Sequence, residues 1–508
     1  VAEFLGPSVP AVLIPVPADP APDVSAAILA AASAMAHRYQ DAALTVLPAS
    51  ELAEHATGLP IGARILTITS GPGRASTSLA TEAGRPALVL AGSGEALRAA
   101  AQALASTNSA LADGGTVTGM TAVVPAAAGP EQTLAGLGAN GIRLAGYGTQ
   151  EAYLGVNQSH FGGPVSAMKL HLRGTHTAVP AGGQAALSVY WNDYLLSSRT
   201  LDGDSFDLTT EVPAGQLQSR NGLRILLTAL PAGGDCSGPA GLLPMELTVD
   251  TTGSKLTAER GHSVTAGFAR FPQVLGTSLP VAFDAGAAAQ DNTLNAAALV
   301  AALQRDAAAL LDVQLTDTQT FLHSGDSGLL VGATPGTAEK AAAPLRLAAF
   351  RTVAARDLEY GVGTSAPYAV LEAFEHNGRN LLFLGEWVPD APTDAAPAAS
   401  GTPDAGTLQR RLASFVQQQE GGWSALSRNL LVTQSTGDPV LLESGAITPQ
   451  AQVTDGYRPL ALWIAAAVGA LLLAVGARIW LRRRHHRRAQ AYADATERAR
   501  ADEPRGKH

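Results

Sequence analysis

Short apolar runs alternate with helix-compatible stretches in the first part of the chain. Residues 9–17, 63–69 and 86–91 are apolar and rich in β-branched side chains, and sequences such as 25–38 and 95–104 follow them. Strand-then-helix order is typical of a parallel sheet covered by helices. We therefore predict an α/β domain with an open sheet over residues 1–110, followed by a linker over 111–134.

Residues 135–262 show strict alternation instead. Within 166–173, the residues at 168, 170 and 172 are apolar while Lys, His and Arg follow them at 169, 171 and 173, and 187–191 repeat the pattern before an Asn192-Asp193 turn. Alternation of this kind predicts half-buried antiparallel strands. With further strands expected at 223–230 and 245–249, this region is predicted to be a β-sandwich.

The strand-helix rhythm returns over residues 263–395. We predict strands at 279–283 and 329–332, an Ala-rich helix at 293–311, and a hairpin whose turn is Asn377-Gly378. Asn-Gly favours the two positive-φ positions of a type I′ turn. The pattern predicts a second α/β domain, so the order of parts is α/β, all-β, α/β.

Residues 396–458 are predicted to hold a linker, an amphipathic helix and a pre-membrane segment. The linker is rich in Pro, Ala, Thr and Asp, and Leu408, Leu412, Phe415 and Val416 share one face of the helix that follows. Two interpretations stay open for that helix. It packs on the second α/β domain, or it lies in a membrane interface.

Residues 459–481 are predicted to be a transmembrane helix. The 22 residues from 460 read LALWIAAAVGALLLAVGARIWL and reach about 33 Å, which is enough to cross a bilayer. Trp463 and Trp480 fall at aromatic-belt positions, and Arg478 can extend into the headgroups. Five arginines within residues 482–488 mark a cytoplasmic tail over 482–508, so the bulk is expected to lie outside the cytoplasm as part of a single-pass cell-membrane protein.

The amino-acid composition excludes two further classes of protein. Apolar residues make up 46% and charged residues 15% of the 508, which excludes a mainly disordered chain. Residues 1–481 hold 25 basic and 39 acidic side chains, a net charge of −14, which argues against nucleic acid as a partner. The chain starts at Val1 without a recognisable export signal, so we expect a truncated or processed sequence.

No motif predicts catalysis, a metal or a cofactor. Residues 323–328 contain Gly-Asp-Ser-Gly, but this segment sits in a strand-helix pattern without the partners of a serine protease. Gly92-Ser93-Gly94 lacks the third glycine and the lysine of nucleotide loops. The eleven histidines show no ligand spacing, and one cysteine builds no site. The sequence therefore predicts a protein that is not an enzyme.

Three aromatic residues make a sugar-binding surface the candidate site. Tyr190, Trp191 and Tyr194 cluster around the Asn192-Asp193 turn, and an exposed aromatic ring can stack on the apolar face of a sugar. Alternation places Trp191 with core residues, so packing is its favoured role. Tyr190 and Tyr194 are the better candidates for an exposed glycan-binding platform.

The order of parts resembles the membrane-anchored, extracytoplasmic B subunit of bacterial cellulose synthase. The similar segments are residues 133–153 (TLAGLGANGIRLAGYGTQEAY), 189–201 (VYWNDYLLSSRTL), 212–227, the Gly234-Asp235-Cys236 triplet and 243–249. The resemblance covers about residues 110–481 in sequence and 1–110 in architecture. It departs from the family at the start, where a further jelly-roll domain and a signal peptide do not precede Val1.

The resemblance implies flavodoxin-like α/β domains flanking a jelly-roll, carbohydrate-binding-like sandwich. It also implies an accessory, non-catalytic subunit whose anchor packs in the lipid bilayer against a processive glycosyltransferase, the cellulose synthase catalytic subunit, and whose outer domains guide the exported β-glucan chain. Two rivals stay open: a free-standing cell-surface glycan-binding protein, and a membrane-tethered glycan hydrolase.

Overall fold

The computed structural model of the chain describes most of its first 449 residues. They are residues 2, 4–106, 109, 116–118, 129–218, 220–233, 244–261, 266–347, 350–355, 358–361, 367–388, 406–435, 437–444 and 446–449. Residues 1–449 form one compact unit. The predicted membrane anchor at 459–481, with Trp463, Arg478 and Trp480, lies outside the described residues. Within the described part, no helix combines the length and the apolar character needed to cross a bilayer.

The first part is a six-stranded sheet with helices. Its strands are β1 (Ala11–Val16), β2 (Ala43–Pro48), β3 (Arg64–Ser70), β4 (Ser76–Glu82), β5 (Arg85–Gly92) and β6 (Thr116–Thr118), and its helices are α1 (Pro22–Arg38), α2 (Leu52–Thr57) and α3 (Gly94–Ala103). The strand order is β2-β1-β3-β5-β4-β6. The neighbours β2, β1, β3 and β5 are parallel, as the apolar runs predict, whereas β4 runs antiparallel beside β5.

The second part is a sandwich of antiparallel strands. They are β7 (Glu131–Thr133), β8 (Ile142–Ala145), β9 (Gly148–Asn157), β10 (Val165–His176), β11 (Gln184–Trp191), β12 (Tyr194–Thr200), β13 (Ser205–Val212), β14 (Arg220–Leu230), β15 (Glu246–Val249) and β16 (Lys255–Arg260). One sheet has the order β7-β16-β10-β15-β8 with β13 beside β10, and the other has the order β12-β11-β14-β9. The inner faces enclose one apolar core, which confirms the sandwich predicted from alternation.

The third part is a seven-stranded sheet with helices and a small extra sheet. Its elements are β17 (Ser278–Phe283), α4 (Ala289–Asp306), β18 (Asp312–Asp317), α5 (Thr318–His323), β19 (Gly328–Ala333), α6 (Pro335–Lys340), β20 (Phe350–Ala355), β21 (Leu358–Gly361), β22 (Tyr368–His376), β23 (Arg379–Trp387), α7 (Thr407–Gln418), β24 (Leu430–Gln434), β25 (Val440–Leu442) and β26 (Ala446–Pro449). The large sheet has the order β18-β17-β19-β23-β22-β24-β25, and β21-β20-β26 form the small one. The predicted hairpin turn is confirmed, because Asn377 and Gly378 both have positive φ.

The amphipathic helix predicted within residues 396–458 is present as α7, whereas strands occupy the described part of the predicted pre-membrane segment. Strand β24 pairs with β22 and β25 with β24, so this region completes the sheet of the second α/β part. Helix α7 buries Leu408, Leu412 and Val416 in the core that also contains α4. Of the two interpretations of this helix, packing on the second α/β part is therefore the one observed.

The two α/β parts share a core instead of standing apart. Helices α1 and α4 pack against each other, and both bury a series of alanines. Polar side chains bond across the contact: Ser25 meets Thr293 at 2.9 Å, and Ser33 donates to Gln304 at 2.8 Å. One continuous apolar cluster therefore spans both sheets.

Candidate functional site

The candidate site is the outer face of the sheet β12-β11-β14-β9 in the sandwich. Strand register places Tyr190 of β11 opposite Arg224 of β14, and Arg224 opposite Tyr153 of β9. Directly opposed residues of antiparallel strands point to the same face. We call Tyr190, Arg224 and Tyr153 the aromatic row. It crosses three strands and spans about 10 Å from β11 to β9.

Tyr153 is the most exposed aromatic side chain of the row, with 72% of its surface accessible. Its ring lies over the backbone of β14, because a Cβ on Gly222 would overlap the phenolic oxygen and ring carbons of Tyr153. Gly155, opposite Gly222 in the register, has open space where its side chain would be. Gly222 therefore makes room for the Tyr153 ring, and Gly155 leaves open space beside it.

Arg224 holds the centre of the row. Its guanidinium carbon lies 4.5 Å from the centroid of the Tyr190 ring, a cation–π contact. Its terminal nitrogens lie 3.6 Å from the carboxylate of Glu151 and 3.3 Å from that of Asp193. Both carboxylates are exposed, so they keep lone pairs free for hydroxyl donors while fixing the arginine.

Trp191 is a core residue. It has no exposed surface, and its indole nitrogen donates to the Oδ1 atom of Asn221 at 3.2 Å. The same amide oxygen accepts from the Asn192 side chain, which ties the indole to the turn. Of the roles considered for Trp191, packing is the one observed, and it is not part of a binding platform.

Tyr194 is exposed but does not share a face with Tyr190. Asn192 and Asp193 both have positive φ, and this two-residue turn pairs Trp191 with Tyr194, leaving Tyr190 opposite Leu195. The two tyrosines therefore do not form one platform, and glycan binding by either of them stays a prediction. The partner that the structure brings to Tyr190 is Tyr153, which the sequence analysis missed because its neighbour Arg224 is 71 positions away in sequence.

The motifs set aside in the sequence have structural roles. The Ser327 hydroxyl accepts the N–H of Asn380 at 2.9 Å, which fixes the Gly-Asp-Ser-Gly loop against the β22–β23 hairpin. The N–H of Gly94, at the start of α3, donates to the Asp23 carboxylate at 3.0 Å. That carboxylate occupies the position a phosphate would need.

A cavity of about 810 Å³ lies at the carboxyl ends of strands from both α/β sheets. Three carboxylates line it, and the structure engages each of them. Asp23 caps α3, Asp317 accepts the N–H of Thr320 at the start of α5, and Glu95 pairs with Arg98 at 2.5 Å. Hydrogen bonds from Thr320 lower the pKa of Asp317. The three carboxylates therefore stabilise helix ends or form an ion pair.

Comparisons with known proteins do not place the chain in a family. No family model and no curated protein matches it. Among solved structures it is similar to TmCBM61 in complex with β-1,4-galactotriose, at 12% identity and a TM-score of 0.14, covering 24% of this chain and 70% of that one. A family 35 carbohydrate binding module from an environmental isolate matches at 11% identity and a TM-score of 0.14, covering 23% and 74%.

The prediction that the protein is not an enzyme is wrong on these comparisons, and we withdraw it. A family two carbohydrate esterase from Clostridium thermocellum in complex with cellohexaose matches at 11% identity and a TM-score of 0.13, covering 32% of this chain and 38% of the esterase. At such identities and TM-scores, none of these matches transfers an activity or a ligand to this chain.

Proposed function

We propose that the protein binds a glycan chain on the outer face of the sandwich, through the aromatic row. The observation that carries this proposal is the exposed Tyr153 ring lying in register with Arg224 and Tyr190. A sugar ring presents an apolar face that stacks on tyrosine and a rim of hydroxyls that needs acceptors. Glu151 and Asp193 supply those acceptors on either side of Arg224.

The open space at Gly155, beside the Tyr153 ring that covers Gly222, supports an extended ligand. A polysaccharide has to cross the sheet without meeting tall side chains, and Gly155 presents none. The polymer would lie across the strands, with one ring on Tyr153 and its hydroxyls near Arg224. An unbranched β-glucan suits this geometry because its rings present flat faces along a straight chain.

We further propose that the protein acts as a membrane-anchored, extracytoplasmic subunit of a β-glucan synthase complex, jelly-roll and flavodoxin-like in its folds. The resemblance to the cellulose synthase B subunit supports this, as do the predicted span at 459–481 and the basic tail at 482–508. In this role the anchor would pack against the membrane-embedded glycosyltransferase, and the aromatic row would receive the emerging chain.

Retention on immobilised β-glucan tests the binding proposal. Tyr153→Ala should weaken retention of the full chain by about tenfold, equivalent to about 1.4 kcal/mol, with unchanged thermal stability because the ring is exposed. Tyr194→Ala is the matched control: it removes an equally polar ring from a residue outside the row and should retain wild-type binding. Unchanged retention for Tyr153→Ala, or an equal loss for Tyr194→Ala, would remove the aromatic row from the site.

Co-purification tests the complex. The intact chain should bring down a multi-spanning glycosyltransferase from its native membrane, and replacing residues 459–481 with an unrelated spanning helix should abolish this. Glucan retention without any glycosyltransferase would instead support a free-standing glycan-binding protein.

A further inference from the structure

A polar cleft of about 410 Å³ runs between the edge strand β2 and the helices α4 and α7. Strand β2 ends its sheet, so the side away from β1 faces the helices. Gln417 of α7 donates to the Leu44 carbonyl on this free edge at 2.5 Å. The volume far exceeds the roughly 30 Å³ share of one water and falls within the range of about 300–1,000 Å³ of small-molecule sites.

Asn295 of α4 lines this cleft with an unsatisfied side chain. It has no exposed surface, and within the described part of the chain neither its Nδ2 nor its Oδ1 atom has a hydrogen-bond partner. A buried polar group without a partner costs about 1–3 kcal/mol. A ligand group that both donates and accepts, such as a hydroxyl pair, would remove this cost.

Gln304, on the same helix, is a buried amide whose two polar atoms both have partners. It is 1% exposed, its Oε1 accepts from Ser33 and from the N–H of Leu311, and its Nε2 donates to the Ala309 carbonyl. Gln409 of α7, also fully buried, lacks a partner among the described residues at both amide atoms as well. What distinguishes Asn295 is its place in the lining of the cleft, where a ligand could reach its amide.

One cationic group of this cleft, Arg305, has no ion-pair partner among the described residues. Arg305 and Arg410 both line it, against Glu51 as the one carboxylate of the lining. Arg410 pairs with Asp291. Arg305 donates to the Ala42 carbonyl at 2.6 Å, and no carboxylate of the described residues lies within salt-bridge distance of it. Burial lowers the pKa of Arg305, only partly offset by the charge of Asp41, so an anion here would be stabilised.

We propose that this cleft binds a small hydroxylated anion, a sugar acid or a sugar phosphate, with a hydroxyl on the Asn295 carboxamide and the anionic group toward Arg305. The two residues are ten positions apart on α4, about 15 Å along its axis. Side chains lean toward the helix N-terminus, which brings the guanidinium closer to Asn295. The site lies on the α/β parts and is independent of the aromatic row.

Titration of the full chain with four probes tests the ligand class. Glucuronate or glucose 6-phosphate should raise the thermal midpoint and give a saturable heat, and the one that binds identifies the source of the anion. Neutral glucose should bind at least about tenfold more weakly. Failure of both anionic sugars, glucose binding as well as either, or inorganic phosphate binding as well as glucose 6-phosphate would overturn the proposal.

Variants test the site itself. Asn295→Leu replaces the unbonded amide with an apolar side chain of similar size, so it should leave the thermal midpoint unchanged or raised while weakening the anionic sugar by at least about tenfold. Gln304→Leu is the matched control and should lower the midpoint. Arg305→Gln should weaken the anionic sugar without unfolding the chain.

Two results would contradict this assignment. If Asn295→Leu lowers the midpoint as much as Gln304→Leu, its amide has a structural partner. If Asn295→Leu and Arg305→Gln both bind the anionic sugar as the wild type does, the cleft is not the site.

Discussion

Glu372 should make the stability of the second α/β part depend on pH. It lies on β22 with 1% of its surface exposed, among the apolar side chains of a core cluster that includes Tyr368. Its Oε2 atom accepts the N–H of Leu345 at 3.0 Å. Burial raises the pKa of Glu372 from its ordinary 4.5 to about 7, and the Leu345 hydrogen bond offsets this only in part.

The sign follows from proton binding. Between the unfolded pKa of 4.5 and the folded pKa of about 7, the folded chain holds a proton that the unfolded chain has lost. Stability therefore falls as the pH rises through this window, and the full loss is present above pH 7. At about 1.4 kcal/mol per pKa unit, the shift amounts to about 3 kcal/mol.

Glu372→Gln isolates this effect. The carboxamide keeps an oxygen for the Leu345 N–H and cannot ionise, so the variant should gain up to about 3 kcal/mol over the wild type near pH 8 and almost nothing near pH 5. Urea unfolding of the full chain at both pH values, with hydrogen exchange of the β22 amides as a local probe, measures it.

Glu339→Gln, an exposed change on α6, is the control and should be neutral at both pH values. An equal effect of Glu372→Gln at pH 5 and pH 8, or destabilisation at pH 8, would refute the assignment of a carboxyl that holds its proton near neutrality.

Three further results are expected. Gly222→Ala should push the exposed Tyr153 ring off β14 and weaken β-glucan retention while leaving the thermal midpoint nearly unchanged; wild-type retention would argue against a role for that ring. Arg379→Met should cost about 2–4 kcal/mol in urea unfolding, because the buried guanidinium donates to three carbonyls, those of Phe321, Leu322 and Asp326; a loss below 1 kcal/mol would contradict this. A reporter fused after His508 should be active only in the cytoplasm, and an exterior signal would refute the predicted orientation.

Local patterns in the sequence predict the strands and helices and their order. The aromatic row, in contrast, is formed by strands that are distant in sequence. The Asn192-Asp193 turn was predictable, and a two-residue turn already implies that Tyr190 and Tyr194 face opposite ways. Tyr153 could not be joined to Tyr190 without the register of β14 between them. The alternating pattern around Tyr153 is visible in the sequence and predicts an exposed aromatic ring there. The pattern does not reveal which residues of the neighbouring strands lie beside that ring.

The packing between the two α/β parts could not be predicted from local sequence patterns either. The alanines of α1 and α4 predict helices, but an alanine face does not specify which surface covers it. The pairing of β24 with β22 joins residues about 60 positions apart, across a Pro- and Ala-rich stretch that reads as a boundary. Hydrophobic periodicity predicts single strands and helices, and it does not show which distant strands pair.

The shared core of α1 and α4 makes the sandwich an insert within a single α/β body. The halves that precede and follow it depend on each other for burial, so neither half should be soluble when expressed alone. The sandwich has its own core, and a short flexible bridge in its place should leave the α/β body intact. Such an insert can be exchanged for another module without redesign of its carrier, which makes the sandwich the part of this protein most open to evolutionary change.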